Sequence, residues 1–371
     1  MGTGSHDGLQ ASGPGGVRVG QHGRVTDAMH LWMRHETRST ERRAPLTPAD
    51  AARVVAAGHA LTVERSPQRV FADDEYADAG ATLADALSWV DAPADAVVLG
   101  LKELPDEPAE LRHTHVFFGH AYKGQTGAQE LLARFRRGGG RLLDIEYLTV
   151  EGRRVVAFGY WAGYVGAALA ALSTRGALET PLHPMEREEL DARLRASTGQ
   201  DERYLVTGAL GRSGTGARDA IAVAGSQATA WDLAETAVLD HEALLAHDVL
   251  VNCVMVTAPA PPFVTDADLD DPARRLRTVA DVTADFTSEL NLVPVVTQET
   301  TWEQPVRRVR DDGAGPAVDV IAIDNLPSLL PREASTTFSA DLLPTLLQLP
   351  GGSPAWTAAQ RSFDEAMGAR A

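Results

Sequence analysis

Two residues with acid-base side chains each follow an apolar run of the kind that forms a buried β-strand. Lys102 follows residues 96–101, Ala-Val-Val-Leu-Gly-Leu, and His120 follows residues 115–119, His-Val-Phe-Phe-Gly. Open α/β sheets present functional groups at the carboxyl ends of their strands, so two neighbouring strands would aim both side chains into one crevice. Such a pair moves protons near neutral pH if burial or positive charge lowers the pKa of the lysine. The alternative is that Lys102 and Lys123 are solvated loop charges and His120 is a hydrogen-bonded turn residue.

A glycine-rich stretch predicts a turn that binds the phosphates of a dinucleotide. Four glycines fall within nine residues after the apolar run 204–207, and an Ala/Ile/Val-rich segment follows them. This pattern indicates a buried strand, a tight turn and a helix whose unpaired N–H groups favour a pyrophosphate. The residues assigned to this contact are Gly208, Gly211, Arg212, Ser213 and Gly214. The first glycine interval is one residue longer than in the usual G-x-G-x-x-G fingerprint, so a purely structural turn is the alternative.

The next predicted strand indicates which dinucleotide binds. Residues 228–231 form this strand, and Asp232 ends it. A carboxylate there accepts hydrogen bonds from the adenosine ribose and repels a 2′-phosphate, which favours NAD over NADP as the cofactor. Asp324 follows the last predicted strand, 318–323, and is also assigned to the cofactor site.

Composition favours a soluble enzyme that acts on a small molecule. The chain has 371 residues, 44% of them hydrophobic, which is enough for about two domains with substantial cores. Its net charge of −17 argues against nucleic acid or an anionic membrane as a partner. The single cysteine, Cys253, suits a reducing cytoplasm. No apolar run reaches the length of about 18 residues that a membrane span needs. We expect a monomer or a small homo-oligomer.

The order of predicted elements indicates an α/β fold with two Rossmann-like domains, parallel sheets flanked by helices, and an interdomain cleft. Strands alternate with helices, including helices predicted at 49–57 and near 83–90. We expect residues 1–27 to be a disordered tail, because they are polar and glycine-rich and lack periodicity. The first domain is predicted to contain residues 28–160 and 333–371, and the NAD-binding domain residues 161–332.

Three histidines near the second strand raise the question of a metal site. Alternate residues of a strand share a face, so His113 and His115 would lie together while His120 falls on the opposite face. No carboxylate completes a ligand set, and we therefore expect no metal.

Several motifs together resemble the NAD-dependent, lysine-forming saccharopine dehydrogenase family, which is itself similar to alanine dehydrogenase and transhydrogenase domains. The resemblance extends from about residue 31 to residue 363. It is carried by Arg-His-Glu-Thr at 34–37, Glu-Arg-Arg-Ala-Pro-Leu-Thr-Pro at 41–48, Gly-Leu-Lys-Glu at 100–103, His-Ala-Tyr-Lys at 120–123, the glycine turn at 208–214, and Asp-Asn-Leu-Pro-Ser-Leu-Leu-Pro-Arg-Glu-Ala-Ser at 324–335.

The resemblance implies oxidation of a secondary amine that joins lysine to a glutarate skeleton, followed by hydrolysis to L-lysine and 2-oxoglutarate. It implies that Lys102 deprotonates the amine and that His120 handles protons during water addition and collapse. Lys123, Arg34 and Arg43 are expected to supply the positive charge that lowers the pKa of the lysine.

The carboxylates of such a substrate require guanidinium groups. Arg43 and Arg154 are the first choices, with Lys123 beside them, and Glu103 and Glu146 are expected to contact the substrate ammonium or moderate the pKa of the lysine. For Arg43 the alternative is a surface ion pair with Glu41.

Two functional alternatives remain open. Residues 104–112, 126–129 and 300–303 depart from the fungal pattern of the family. These changes leave room for a related dehydrogenase that acts on another N-substituted lysine or amino acid. A non-catalytic NAD-binding protein is less favoured, since a binder has no use for the pair Lys102 and His120.

Overall fold

Six short apolar strands of the amino-terminal part form an entirely parallel sheet. The computed structural model describes residues 1–2, 28–122, 127–199, 201–286, 289–313 and 315–368. The strands of this first sheet are β1 (His30–Met33), β2 (Ala60–Glu64), β3 (Thr82–Ala84), β4 (Val97–Leu99), β5 (Thr114–Phe117) and β6 (Arg141–Asp144). Their order is β3-β2-β1-β4-β5-β6, which reverses direction between β1 and β4. The crevice at such a reversal is where open α/β sheets bind ligands.

Helices connect these strands, as their alternation predicted. They are α1 (Pro48–Ala56), α2 (Asp73–Asp78) and α3 (Ala128–Gly138). The side chain of Thr47 accepts a hydrogen bond from the backbone N–H of Asp50 over 3.2 Å and caps α1, and Pro48 begins the helix.

The helix predicted near 83–90 is wrong. That stretch contains β3 and a 3₁₀ turn at Ser88–Asp91, separated by Leu87 with φ at 66°. Thr82 pairs with Thr62 in the sheet, and a left-handed residue interrupts any helix that would cross this point.

A hairpin and a helix of small residues lead to the second half of the chain. The hairpin consists of β7 (Thr149–Val150) and β8 (Arg153–Arg154), and the helix is α4 (Gly159–Thr174). The next helix is α5 (Arg187–Ala196).

The second sheet is also built on parallel strands, with one exception at its edge. Its strands are β9 (Tyr204–Thr207), β10 (Ala228–Trp231), β11 (Val249–Asn252), β12 (Thr278–Asp281), β13 (Arg307–Arg310) and β14 (Val318–Ile321). The order is β10-β9-β11-β12-β14-β13, and β13 runs antiparallel to β14. The sequence does not predict β13, because the arginine-rich run Arg-Arg-Val-Arg lacks the apolar character of the other strands. Such charged residues are typical of an edge strand.

The helices of this half are α6 (Arg212–Val223), α7 (Leu233–Thr236), α8 (His241–Leu245) and α9 (Asp266–Leu269). Helix α4 packs closely against α6, and glycines make this possible. A Cβ on Gly163 would overlap the carbonyl of Ser213, and one on Gly216 would overlap the carbonyl of Tyr160.

The last two helices, α10 (Pro331–Leu346) and α11 (Pro354–Ala366), pack on the first sheet. Phe338 and Leu342 of α10 and Trp356 of α11 share a buried cluster with Leu31 and Leu99 of that sheet. The parallel α/β fold is therefore as predicted. The predicted tail at 1–27 falls almost entirely outside the described residues, and no described helix has the length and hydropathy to cross a membrane.

Candidate active site

The backbone around Lys102 is held at the carboxyl end of β4 by two buried charged residues. The carboxylate of Glu36 accepts hydrogen bonds from the N–H groups of Leu101, over 2.7 Å, and of Lys102, over 3.0 Å. Arg34 donates to the carbonyl of Lys102. Gly100 is required because a Cβ there would overlap the Arg34 guanidinium. Arg34 thus positions the lysine backbone, whereas the resemblance implied that it supplies charge.

The side chain of Lys102 is largely buried, at 14% exposure, and its Nζ lies 3.7 Å from Oδ2 of Asp324. Burial lowers the pKa of Lys102, and the positive charges of Arg43 and Arg38 lower it further. Asp324 and Glu103 act in the opposite direction. The pKa of the lysine is therefore shifted downward, which is the direction that a base acting near neutral pH requires.

Asp324 follows β14 of the second sheet and meets residues of the first. Arg38 forms ion pairs with Asp324 and, over 3.1 Å, with Glu103. Burial raises the pKa of Asp324, but Lys102 and Arg38 outweigh this effect and hold it below its usual range. Sequence reasoning did not select Arg38, although it lies between the two motifs at 34–37 and 41–48.

His120 lies just after β5, the neighbour of β4, and is paired with an acid. Its Nδ1 lies 3.2 Å from Oε2 of Glu146, and its φ of 48° is unusual for a residue other than glycine. The hydrogen bond with Glu146 raises the pKa of His120, while burial and the charge of Lys102 oppose the rise. The structure thus brings Lys102 and His120 within electrostatic reach of each other, as their strand ends predicted.

Glu146 lies in the 3₁₀ turn Ile145–Tyr147 after β6, where Asp144 caps the turn by accepting the N–H of Glu146 over 2.9 Å. Burial raises the pKa of Asp144 to about 6. The ends of three adjacent strands therefore supply the titratable groups Lys102, His120 and Asp144. Asp144 was not selected from the sequence, although it directly follows the apolar residues Leu142 and Leu143.

Arg154 contacts Glu146 through the carboxylate oxygen that does not face His120. Its Nε donates to the backbone carbonyl of Glu146 over 3.0 Å, and its Nη2 lies 3.1 Å from Oε1 of the same residue. The side chain of Arg154 is 38% exposed, so it is accessible to a ligand.

Arg43 forms an ion pair with Glu41, at 2.5 Å, but this is not the surface pair of the alternative interpretation. Both side chains are buried, and Arg43 also donates to Oδ1 of Asn325 over 2.6 Å. Its guanidinium lies 4.0 Å from the ring centroid of Phe158, which stacks on Phe338 at 4.4 Å. Lys123, the other predicted substrate cation, lies outside the described residues.

The glycine turn lies at the point where the order of the second sheet reverses, between β9 and β11. Gly208 has φ of 66°, and a Cβ there would approach the carbonyl of Cys253 to 3.0 Å. A Cβ on Gly214 would overlap the carbonyl of Gly208. Gly211 precedes α6, whose first turn contains Arg212 and Ser213. Bare backbone and a helix amino terminus fit a pyrophosphate.

Asp232 directly follows β10 and lies beside this turn. It caps α7 by accepting the N–H of Leu233, and its second oxygen accepts the N–H of Leu210, each over 2.9 Å. It remains partly exposed. Its placement fits the predicted ribose contact, and it also has a structural task that the sequence did not indicate.

The three histidines lie as strand geometry predicted. The rings of His113 and His115 are 6.2 Å apart, and both are buried, whereas His120 pairs with Glu146. Within the described residues, the acidic groups close enough to share a cation are Glu186, Glu188 and Glu333, and two of the three are exposed.

A family model and two solved structures are similar to this chain in fold. Residues 32–165 match the family model described as alanine dehydrogenase/PNT, N-terminal domain. The structure is similar to an L-alanine dehydrogenase, with a TM-score of 0.65 at 16% identity, covering 91% of this chain and 94% of that one. It is also similar to a transhydrogenase from Sinorhizobium meliloti, with a TM-score of 0.64 at 16% identity, covering 89% and 97%. These likenesses concern the fold.

Curated relatives give a closer match over nearly the whole chain. A protein of Neurospora crassa is 44% identical over 360 residues, which are 90% of this chain and 95% of that protein. One of Emericella nidulans is 42% identical over 363 residues, 90% and 96% of the two chains. One of Schizosaccharomyces pombe is 39% identical over 360 residues, 91% and 98%. All three are named saccharopine dehydrogenase (NAD(+), L-lysine-forming), and this chain belongs to their family.

Proposed function

We propose that this chain is an NAD-dependent oxidoreductase that cleaves saccharopine to L-lysine and 2-oxoglutarate, and that it also catalyses the reverse condensation. The observation that carries this proposal is the position of Lys102, buried and 3.7 Å from Asp324, and of His120 after two neighbouring strands of the same sheet. The pKa of Lys102 is lowered and that of His120 is raised, so both pKa values shift toward neutral pH, where acid-base catalysis is most effective.

The nucleotide is assigned to the glycine turn of the second sheet. Gly208, Gly211 and Gly214 leave backbone accessible to its pyrophosphate, with Arg212 and Ser213 at the start of α6. Asp232 is proposed to accept hydrogen bonds from the ribose, and Asp324 to lie at the nicotinamide side of the same sheet. When bound, NAD+ supplies a hydride acceptor.

Proton transfer is assigned to the first sheet. Nζ of Lys102 accepts the proton of the substrate's secondary ammonium, which frees the nitrogen lone pair for formation of the imine. His120 then takes a proton from the water that attacks the imine carbon. It returns this proton to the nitrogen as the C–N bond of the carbinolamine breaks, and it accepts the proton of the carbinol hydroxyl as the C=O bond forms. This releases the amine of lysine and leaves the carbonyl of 2-oxoglutarate.

Substrate recognition is assigned to the cations that surround this pair. Arg154 is accessible and is proposed to bind a substrate carboxylate, together with Lys123. Arg43 is buried and already forms an ion pair with Glu41. It can bind a substrate carboxylate only if the substrate reaches this buried pair. Glu103, 55% exposed, and Glu146 are proposed to face the substrate ammonium.

The domain boundaries proposed are those of the sequence: 28–160 with 333–371 for the catalytic unit and 161–332 for the nucleotide unit. The packing of α10 and α11 on the first sheet supports this division. The net charge of −17 supports a small-molecule partner rather than nucleic acid, and the single cysteine supports the cytoplasm. A monomer or small homo-oligomer remains our proposal.

The test is NADH formation with saccharopine and with a panel of other N-substituted lysines and amino acids. We expect the highest kcat/KM with saccharopine, and Lys102→Met, which lacks the proposed base, should have a much lower value. A preference for another secondary amine would reassign the substrate. Tight NAD binding with no turnover of any compound in the panel would show that the chain is an NAD-binding protein and not an enzyme.

A further inference from the structure

Arg212, the first residue of the helix assigned to phosphate binding, also contacts the first half of the molecule. This exposed side chain donates from Nη2 to the backbone carbonyl of Arg154 over 2.9 Å. A guanidinium carries five N–H donors in a rigid fork. A single arginine can therefore hold the Arg154 carbonyl and still donate to a phosphate at the amino terminus of α6.

Arg154 is in turn connected to the acid-base histidine. Its side chain holds both the backbone carbonyl and the carboxylate of Glu146, and the other oxygen of that carboxylate lies 3.2 Å from Nδ1 of His120. Four residues thus form a continuous polar chain, each contact between 2.9 and 3.2 Å, from the glycine turn to His120.

The middle of this chain of contacts is a short hairpin. Strands β7 and β8 contain two residues each, and isolated two-stranded hairpins are marginally stable in water. Directly after Arg154, the N–H of Val155 donates to the carbonyl of Leu148 over 2.8 Å. The contact from Arg212 is therefore well placed to determine how firmly Arg154 is held.

We infer that Arg212 is a positioning residue that couples nucleotide binding to binding of the substrate carboxylate. A bound pyrophosphate orders the exposed Arg212 side chain, which then fixes the Arg154 backbone and presents its guanidinium beside Glu146 and His120. Coupling of two binding sites is reciprocal, so the carboxylate ligand strengthens nucleotide binding by the same factor. The inference rests on the proposed nucleotide site and on the proposed role of Arg154.

The experiment measures the Kd of NADH with and without saturating 2-oxoglutarate, in the absence of lysine so that no turnover occurs. In the parent protein we expect 2-oxoglutarate to tighten NADH binding by about 5-fold or more, the usual lower range of coupling between sites. Arg212→Met removes the donors while keeping the length of the side chain. In this variant 2-oxoglutarate should change the Kd of NADH by less than about twofold. If Arg212 served only as a phosphate contact, the variant would bind NADH more weakly but 2-oxoglutarate would still tighten that binding by the full factor.

Two further variants control the measurement. Arg212→Lys should retain part of the coupling, because an ammonium can still donate to the Arg154 carbonyl. Arg218→Met removes a positive charge from another exposed position of α6, and it should keep the full factor because this side chain donates to the carbonyl of Ala209, over 3.5 Å, and not to Arg154. Coupling that survives in Arg212→Met, or that is absent from a parent protein able to bind both ligands, overturns the inference. A parent protein that binds no NADH overturns the proposed nucleotide site itself.

Discussion

Nζ of Lys102 and Oδ2 of Asp324 lie 3.7 Å apart, although one residue ends a strand of the first sheet and the other ends a strand of the second. A base at this position must lose its proton near neutral pH, and the carboxylate works against that loss by raising the lysine pKa. Asp324 thus opposes the lowering of the Lys102 pKa that burial causes.

Asp324→Asn should therefore shift the acidic limb of the pH profile of kcat/KM to lower pH. Asparagine keeps the shape of the side chain but removes the charge that favours the protonated lysine. The measurement is initial-rate kinetics with saccharopine and NAD from about pH 5 to pH 9, with Glu103→Gln as a weaker matched variant, since Glu103 acts in the same direction. A limb that moves to higher pH, or stays in place, contradicts the assignment.

Single replacements of the acid-base pair should each lower turnover. Lys102→Met and His120→Gln remove the groups proposed to deprotonate the amine and to serve hydration, a loss of typically about 10² to 10⁴-fold, with NAD affinity largely preserved. The double variant should lose less than the product of the two single losses, because neighbouring groups that share protons are not independent. If either single variant retains turnover within a few-fold of the parent, that residue has only a structural role.

Asp232→Ala should weaken NAD binding more than NADP binding, because the ribose acceptor is lost while repulsion of a 2′-phosphate is relieved. The same change removes the cap of α7, which costs about 1 kcal/mol. Asp232→Asn is the matched control, since it retains a capping oxygen without the charge. Binding is measured by titration of both nucleotides, and equal losses for the two in Asp232→Ala would show that this acid does not contact the ribose.

The buried carboxyl of Asp144 should make stability fall as pH rises from about 4 to 6. Its pKa is about 6 in the folded protein against 3.8 ordinarily, so the folded state binds more protons across this interval. The favourable contribution is complete below the unfolded pKa and is lost as pH rises through the folded pKa, by on the order of 3 kcal/mol.

Denaturant unfolding of the parent and of Asp144→Asn across this pH range tests the effect. The variant should show a shallower fall in the free energy of unfolding, because asparagine does not titrate. Identical slopes in the two proteins would show that Asp144 titrates in the folded state as it does in the unfolded chain.

The sequence by itself determined the local features of the site. The apolar runs before Lys102 and His120 predicted their strand ends, and the glycine spacing predicted the turn at Gly208, because strand formation and tight turns depend on neighbouring residues. The same local reasoning failed at residues 83–90, where a short apolar pattern fits a helix and a strand equally well and Leu87 adopts a left-handed conformation.

Tertiary structure alone decided which distant residues meet and which are buried. For Arg43 the sequence left substrate binding and a surface pair with Glu41 as alternatives, but packing of Asn325 and Phe158 against Arg43 removes both charges from water. The contact of Arg38 with Asp324 likewise exists only because two sheets approach each other at their carboxyl ends. No local pattern encodes these contacts, since burial and pKa depend on the groups that folding brings near, irrespective of their separation along the chain.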